Sequence, residues 1–271
     1  MFRARAKRGE MFKQRLISTI IWSVVIFLTI KYQLVFAVCF LALVIGGLYE
    51  FFGLIEKKGI LIYKYFGMFL GIAIPLSVLF RFELTKGWEL LFIVLALFTL
   101  FILQLKRQDS SQAVAGISTT LFGIIYVSWF FSFLVKVRYL PGGQGYLAAL
   151  ILITKSSDIG AYLVGSRVGR HKLIPRISPK KTVEGLVGGL LFGILVAIAC
   201  RPFLGFSYLH LAVLGLAIAL IAELGDLSES LIKRDCQVKD SGFLFPGLGG
   251  ILDLIDSLLF TAPAFYFYMS N

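Results

Sequence analysis

Charge is scarce in this sequence. Only 15% of its 271 residues are Asp, Glu, Lys or Arg, whereas 58% are hydrophobic and 26 are Phe. Soluble domains carry about 25% charged residues, so a fully water-exposed surface is excluded and a membrane protein is implied. Cysteine is also sparse. Cys39, Cys200 and Cys236 are odd in number and widely scattered, which fits neither a disulfide framework nor a zinc site. The basic start (Arg3, Arg5, Lys7, Arg8, Lys13, Arg15) lacks a small-residue cleavage site, so the first apolar run reads as a retained helix. The sequence shows no low-complexity tract, no inverted repeat of the transporter kind and no RNA- or DNA-binding motif.

What is present is a series of apolar runs long enough for about 30 Å of hydrocarbon. They fall near 16–30, 34–54, 65–80, 89–105, 117–135, 146–165, 186–200, 208–225 and 249–268. The expected fold is therefore an all-α polytopic membrane protein of about nine transmembrane helices. With the N-terminus inside, cytoplasmic segments hold 20 of the 27 Lys and Arg residues and outer segments hold six, while Lys155 lies within a span. That bias follows the positive-inside pattern and puts the polar motif segments on the cytoplasmic face. It also explains the net charge of +12 through topology and anionic headgroups, with no nucleic-acid partner needed.

Chemistry is unevenly spread. Residues 1–140 read as scaffold spans, with Glu50 an interfacial residue near a span end. Residues 141–271 read as the catalytic region. There, Lys155, Asp158 and Tyr162 share one face of a helix at i, i+3, i+7 spacing. Downstream, Ser178-Pro179-Lys180-Lys181-Thr182-Val183-Glu184-Gly185 offers hydroxyls, ammonium groups and a helix start, with Thr182 as N-cap and Glu184 in the first turn. Such a start suits a phosphate; the alternative is that Lys180 and Lys181 only anchor the loop at the lipid surface. His171, between Arg170 and Lys172, reads as a solvated loop residue.

Between Glu223 and Asp256 the polar density is highest. Glu223 and Asp226 are three apart near a helix end, and Ser230, Lys233 and Arg234 continue their stripe. Lys239 and Asp240 follow on a loop, and the turn Pro246-Gly247-Leu248-Gly249-Gly250 can cradle phosphate oxygens with its N–H groups. Asp253 and Asp256 share a face of the last span. Acids at membrane depth point to a cation or a proton path; the alternative is an ion pair with Lys233, Arg234 or Lys155.

These residues resemble the phosphatidate cytidylyltransferase (CDP-diacylglycerol synthase) family. Its signature is matched by Ser230-Leu231-Ile232-Lys233-Arg234, Lys239-Asp240-Ser241-Gly242, the Pro246–Gly250 turn and Asp253-Leu254-Ile255-Asp256, with Gly225–Ser230 and the Asp158–Tyr162 and Ser178–Gly185 segments in support. Two positions depart: Leu248 stands where the family has His, and Leu254 where it has Arg. The resemblance implies transfer of CMP from CTP to phosphatidate in the bilayer; the charge bias turns the polar cavity to the cytoplasm, and compact size without targeting signals suggests a bacterial inner (plasma) membrane. The resemblance also implies catalytic Asp226, Lys233, Asp240, Asp253 and Asp256, with Asp226, Asp253 and Asp256 on Mg2+ and a second cation left open. Substrate phosphates fall to Ser178, Lys180, Lys181, Thr182, Glu184, Ser230, Arg234, Lys239, Gly249 and Gly250. A homodimer is left open. The rival readings are a catalytically degenerate homologue, a cation-coupled transporter, and a CDP-alcohol phosphotransferase, whose Asp-Gly-x-x-Ala-Arg motif is absent.

Overall fold

The computed structural model describes residues 24–82, 87–107, 109–242 and 249–270. Helical residues 24–31 lead into α1 (Gln33–Lys57), α2 (Lys64–Leu79), α3 (Trp88–Leu105), α4 (Ala113–Tyr139) and α5 (Gly143–Val168). A hairpin of β1 (Lys172–Ile174) and β2 (Ser178–Thr182) precedes α6 (Val183–Ala199). After a short helical turn at Arg201–Leu204 come α7 (Tyr208–Asp235) and α8 (Ile251–Met269).

Six of these helices (α1, α3, α4, α5, α7 and α8) are long and apolar enough to cross a bilayer. The runs expected at 65–80 and 186–200 are α2 and α6, with 16 and 17 residues, short of the roughly 20 that a span needs. Most of the first expected run, 16–30, lies outside the described residues. The chain is a helical, multi-pass membrane protein.

The expected all-α membrane fold is present, with one short two-stranded hairpin added to it. Lys172 pairs with Thr182 and Ile174 with Ser178, antiparallel. Pro175 and Pro179, four residues apart, each cost a helix interior about 3 kcal/mol, and this stretch pairs its backbone across a turn instead.

Helix packing relies on small residues, as expected where lipid is as apolar as the protein. A Cβ on Gly188 of α6 would stand 2.5 Å from Val164 and 3.0 Å from the Gly160 carbonyl, so α5 and α6 touch backbone to backbone. Gly225 does the same between α7 and α8, where an added Cβ would meet the Asp256 carbonyl oxygen at 2.7 Å. That contact brings Asp226 and Asp256 to the same level of the bundle. An aromatic core that includes Phe51, Phe52, Phe131 and Phe265, all fully buried, holds α1 and α4 against α8.

Candidate active site

Two acid clusters, each bridged by a lysine, flank the α7–α8 contact. The first lines an open cleft of about 420 Å3 bounded by Asp158 and Tyr162 of α5, Lys180, Lys181 and Thr182 of β2, Gly185 of α6, and Glu223 and Asp226 of α7. Lys181 Nζ lies 2.7 Å from Glu223 Oε1 and 2.9 Å from Asp226 Oδ2. Burial alone would lower the Lys181 pKa. The carboxylates of Asp226 and Glu223 outweigh it and raise the group above the ordinary lysine value, so it stays cationic.

Asp158 connects the cleft to α8. It pairs with Lys155 at 3.1 Å and accepts from Ser257 Oγ at 3.2 Å. Lys155 Nζ also donates to Ser257 Oγ at 3.0 Å and to the Leu254 carbonyl at 3.2 Å. An ammonium group therefore sits at the backbone of the position where the family motif carries arginine. Asp256 is buried within the electrostatic reach of Lys155, Asp226 and Asp158. Ser230 Oγ donates to Asp226 at 3.4 Å.

The second cluster is closed. Lys233 bridges Glu229, one turn away on α7, and Asp253 on α8. The other oxygen of Asp253 accepts from Gly250 N at 2.8 Å, Ser241 Oγ at 2.8 Å and Ser241 N at 3.1 Å. Gly249, at φ +90°, turns the chain so close to Asp253 that a side chain there would collide with it.

Glu50, read from the sequence as an interfacial residue near a span end, completes this cluster. Its carboxylate accepts from Ile251 N at 3.0 Å, Leu252 N at 2.9 Å and Ser241 Oγ at 3.0 Å. These are orphan donors at the start of α8, and an anion there also suits the helix dipole. The signal was an acid inside an apolar run, which at membrane depth marks a built contact. Ser241, Glu229 and Ser257 are further members that the site reading omitted, although Glu229 and Ser241 stood within the motifs.

The remaining expected residues lie at the rim. Thr182 is the N-cap of α6, accepting from Gly185 N at 3.1 Å. Glu184 faces away from the cleft and anchors the loop: it accepts from Arg170 N at 3.0 Å and His171 N at 3.2 Å, and meets His171 Nδ1 at 2.6 Å. The Arg170 N–H above all, then its own N–H and the exposed His171 ring, hold its pKa at about 2. Arg234 Nε donates to the Ile177 carbonyl at 3.1 Å, tying α7 to the hairpin turn. Ser178 is half-buried in β2, and Lys239 and Asp240 are exposed beyond α7. Leu248 and the turn from Phe243 lie outside the described residues.

The acids of both clusters offer oxygen ligands only, the donor chemistry a hard cation such as Mg2+ takes beside water and phosphate oxygens. Among the described residues no three acid, imidazole or thiol groups yet converge on one point, and Lys181 and Lys233 stand between the acids. A cation here would therefore draw part of its shell from substrate phosphate.

A model of the cytidylyltransferase family matches residues 13–271. The chain belongs to that family. It is 33% identical over 266 residues to the phosphatidate cytidylyltransferase of Bacillus subtilis, covering 95% of this chain and 97% of that one. The Synechocystis phosphatidate cytidylyltransferase is 34% identical over 286 residues, 94% of this chain and 96% of the other. An uncharacterized Escherichia coli protein, YnbB, is 40% identical over 151 residues, which is 55% of this chain and half of that protein. As a cytidylyltransferase-family member, the chain is expected to carry a nucleotide triphosphate site, and the open cleft is the part of the structure with cations, hydroxyls and acids facing one space.

Proposed function

We propose that this protein is a phosphatidate cytidylyltransferase of the bacterial inner membrane, transferring CMP from CTP to phosphatidate. A phosphate oxygen of phosphatidate attacks the α-phosphorus of CTP. A new P–O bond forms, the bond from the α-phosphorus to the bridging oxygen breaks, and pyrophosphate departs with that electron pair. The lipid phosphate is already anionic near neutral pH, so no strong general base is required and leucine at 248 is tolerable.

In this reading Lys181 and Lys180 receive CTP phosphates, and Thr182 supplies its hydroxyl at the start of α6. Ser178, Glu184, Arg234 and Lys239 shape the rim, Ser230 supports Asp226, and Gly249 and Gly250 form the inner turn. Asp226, Asp253 and Asp256 would hold Mg2+, with Asp240 at the margin. The cation, when bound, offsets the repulsion between lipid phosphate and triphosphate and stabilises the leaving group. Lys181, now on carboxylates, exchanges those partners for phosphate oxygens, whereas Lys233 keeps Glu229 and Asp253 in place. The positive-inside bias turns the cleft to the cytoplasm, where CTP is available. Residues 1–140 serve as scaffold and 141–271 as catalytic region, joined through Glu50.

The observation that carries this reading is the Lys181 bridge in an open cleft, a cation already poised between the two acids that a phosphate and a metal would separate. The test is purified protein in detergent with phosphatidate, labelled CTP and Mg2+, following label into the lipid phase with and without EDTA. Metal-dependent CDP-diacylglycerol supports it. Folded protein that binds CTP without forming product points to a degenerate homologue. Ion-driven uptake in liposomes without CTP consumption would replace the reading with a transporter.

A further inference from the structure

A second cavity, of about 160 Å3, lies on the other side of Lys155. Residues 24–31, α1, α4, α5 and α8 line it, with Thr29, Cys39, Leu147, Ile151, Leu254 and Lys155 on its wall. Among the described lining residues Lys155 is the one charged group. Its aliphatic stem runs along the apolar wall, while its ammonium turns to Asp158, which also lines the polar cleft. The Lys155–Asp158 pair thus joins an apolar hole to the candidate reaction site. Leu147, Ile151 and Lys155 are spaced one helical turn apart, so the cavity extends about 12 Å along α5 from the ammonium.

We propose that this cavity takes an acyl chain of the phosphatidate substrate and that Lys155 receives its phosphate. The proposal rests on the reaction assigned above and adds where the lipid lies. An apolar chain ending in a dianionic phosphate matches an apolar cavity ending in one ammonium, at the edge of the cleft that would hold the triphosphate. Leucine at 254 serves this arrangement, because it continues the apolar wall where an arginine would introduce charge.

Cys39 is a free, half-buried thiol on the wall and gives a way to fill the cavity after folding. In protein carrying Cys200→Ala and Cys236→Ala, octyl methanethiosulfonate would attach an eight-carbon chain to Cys39, removable with dithiothreitol. The KM for dioleoyl phosphatidate should rise by about tenfold or more, which corresponds to about 1.4 kcal/mol of lost binding. The KM for CTP and turnover of dihexanoyl phosphatidate should stay within about twofold, and reduction should restore the original values. An unchanged KM for the long-chain lipid overturns the proposal. So does an equal loss with the short-chain lipid, which would indicate distortion of the site, or release of some other phospholipid without a change in KM, which would indicate a structural lipid.

Retention of labelled dioleoyl phosphatidate, measured without CTP, decides the same question independently of turnover. Octyl-Cys39 and Lys155→Met should both lose it, and Lys155→Arg should keep most of it. If unmodified protein forms no CDP-diacylglycerol, the reaction assignment fails, and this binding measurement still supports or overturns the cavity.

Discussion

Lys181 and Lys233 make the same kind of bridge, one ammonium between two carboxylates, yet they stand in opposite surroundings. Lys181 joins Glu223 and Asp226 on the wall of an open cleft, with its cation available to an incoming anion. Lys233 joins Glu229, which is completely buried, to Asp253, whose remaining oxygen is occupied by Ser241 and Gly250. On the proposed reading, the same chemistry serves recognition in one place and architecture in the other. Access separates them, and sequence spacing alone does not report access.

The comparison can be broken by experiment. The largest effect should come from Asp226→Asn: turnover falls by about 10²-fold or more while insertion and thermal stability in detergent hold, because the change removes a charge from the open cluster. Full activity in that variant would remove Asp226 from the metal site. Lys233→Met should act mainly on the fold. It strands Glu229 and Asp253 without a cation, at a cost of about 3–5 kcal/mol, seen as a lower unfolding midpoint. Lys181→Met should do the reverse, raising the KM for CTP by about tenfold with a small shift in midpoint. If the two lysine variants behave alike, the distinction between the clusters is wrong.

Glu50→Ala should destabilise by about 1–3 kcal/mol, since it leaves the Ile251 and Leu252 N–H groups without their acceptor. Smallest is Glu184→Gln, which should speed amide exchange at Arg170 and His171 and leave turnover within about twofold. The sign with pH follows from its depressed pKa. The wild-type anchor is fully present above the usual glutamate value and is lost as pH falls from there through about 2, so protection of those amides relative to their free-peptide exchange rates should be unchanged between pH 7 and pH 5.

Much of this was legible from residues. Helical spacing anticipated the Lys155–Asp158 pair, and the Thr-x-Glu-Gly start anticipated the Thr182 cap, because both are contacts within a few residues of chain. The alternative weighed for Asp253, an ion pair with Lys233, is present in the structure. Contacts across long separations were not legible. Glu50 meets its donors 201 residues away, and nothing local in its sequence names them. The hairpin was missed because strands of three and five residues carry little periodic signal beside long apolar helices. The grouping of acids into one open and one closed set depends on glycine contacts between helices, and a list of carboxylates does not contain that information.

The Glu50 cap also has a consequence for how the protein is made. At about 5–20 residues per second, the ribosome delivers α8 roughly 10–40 seconds after α1. Throughout that interval an acid within an apolar helix waits in the membrane for amides not yet synthesised. A chain that stalls or is cut before Ile251 leaves this carboxylate without its backbone donors, a buried polar group unmatched in an apolar setting. The last helix therefore finishes the site and also releases the first half of the chain from that vulnerability.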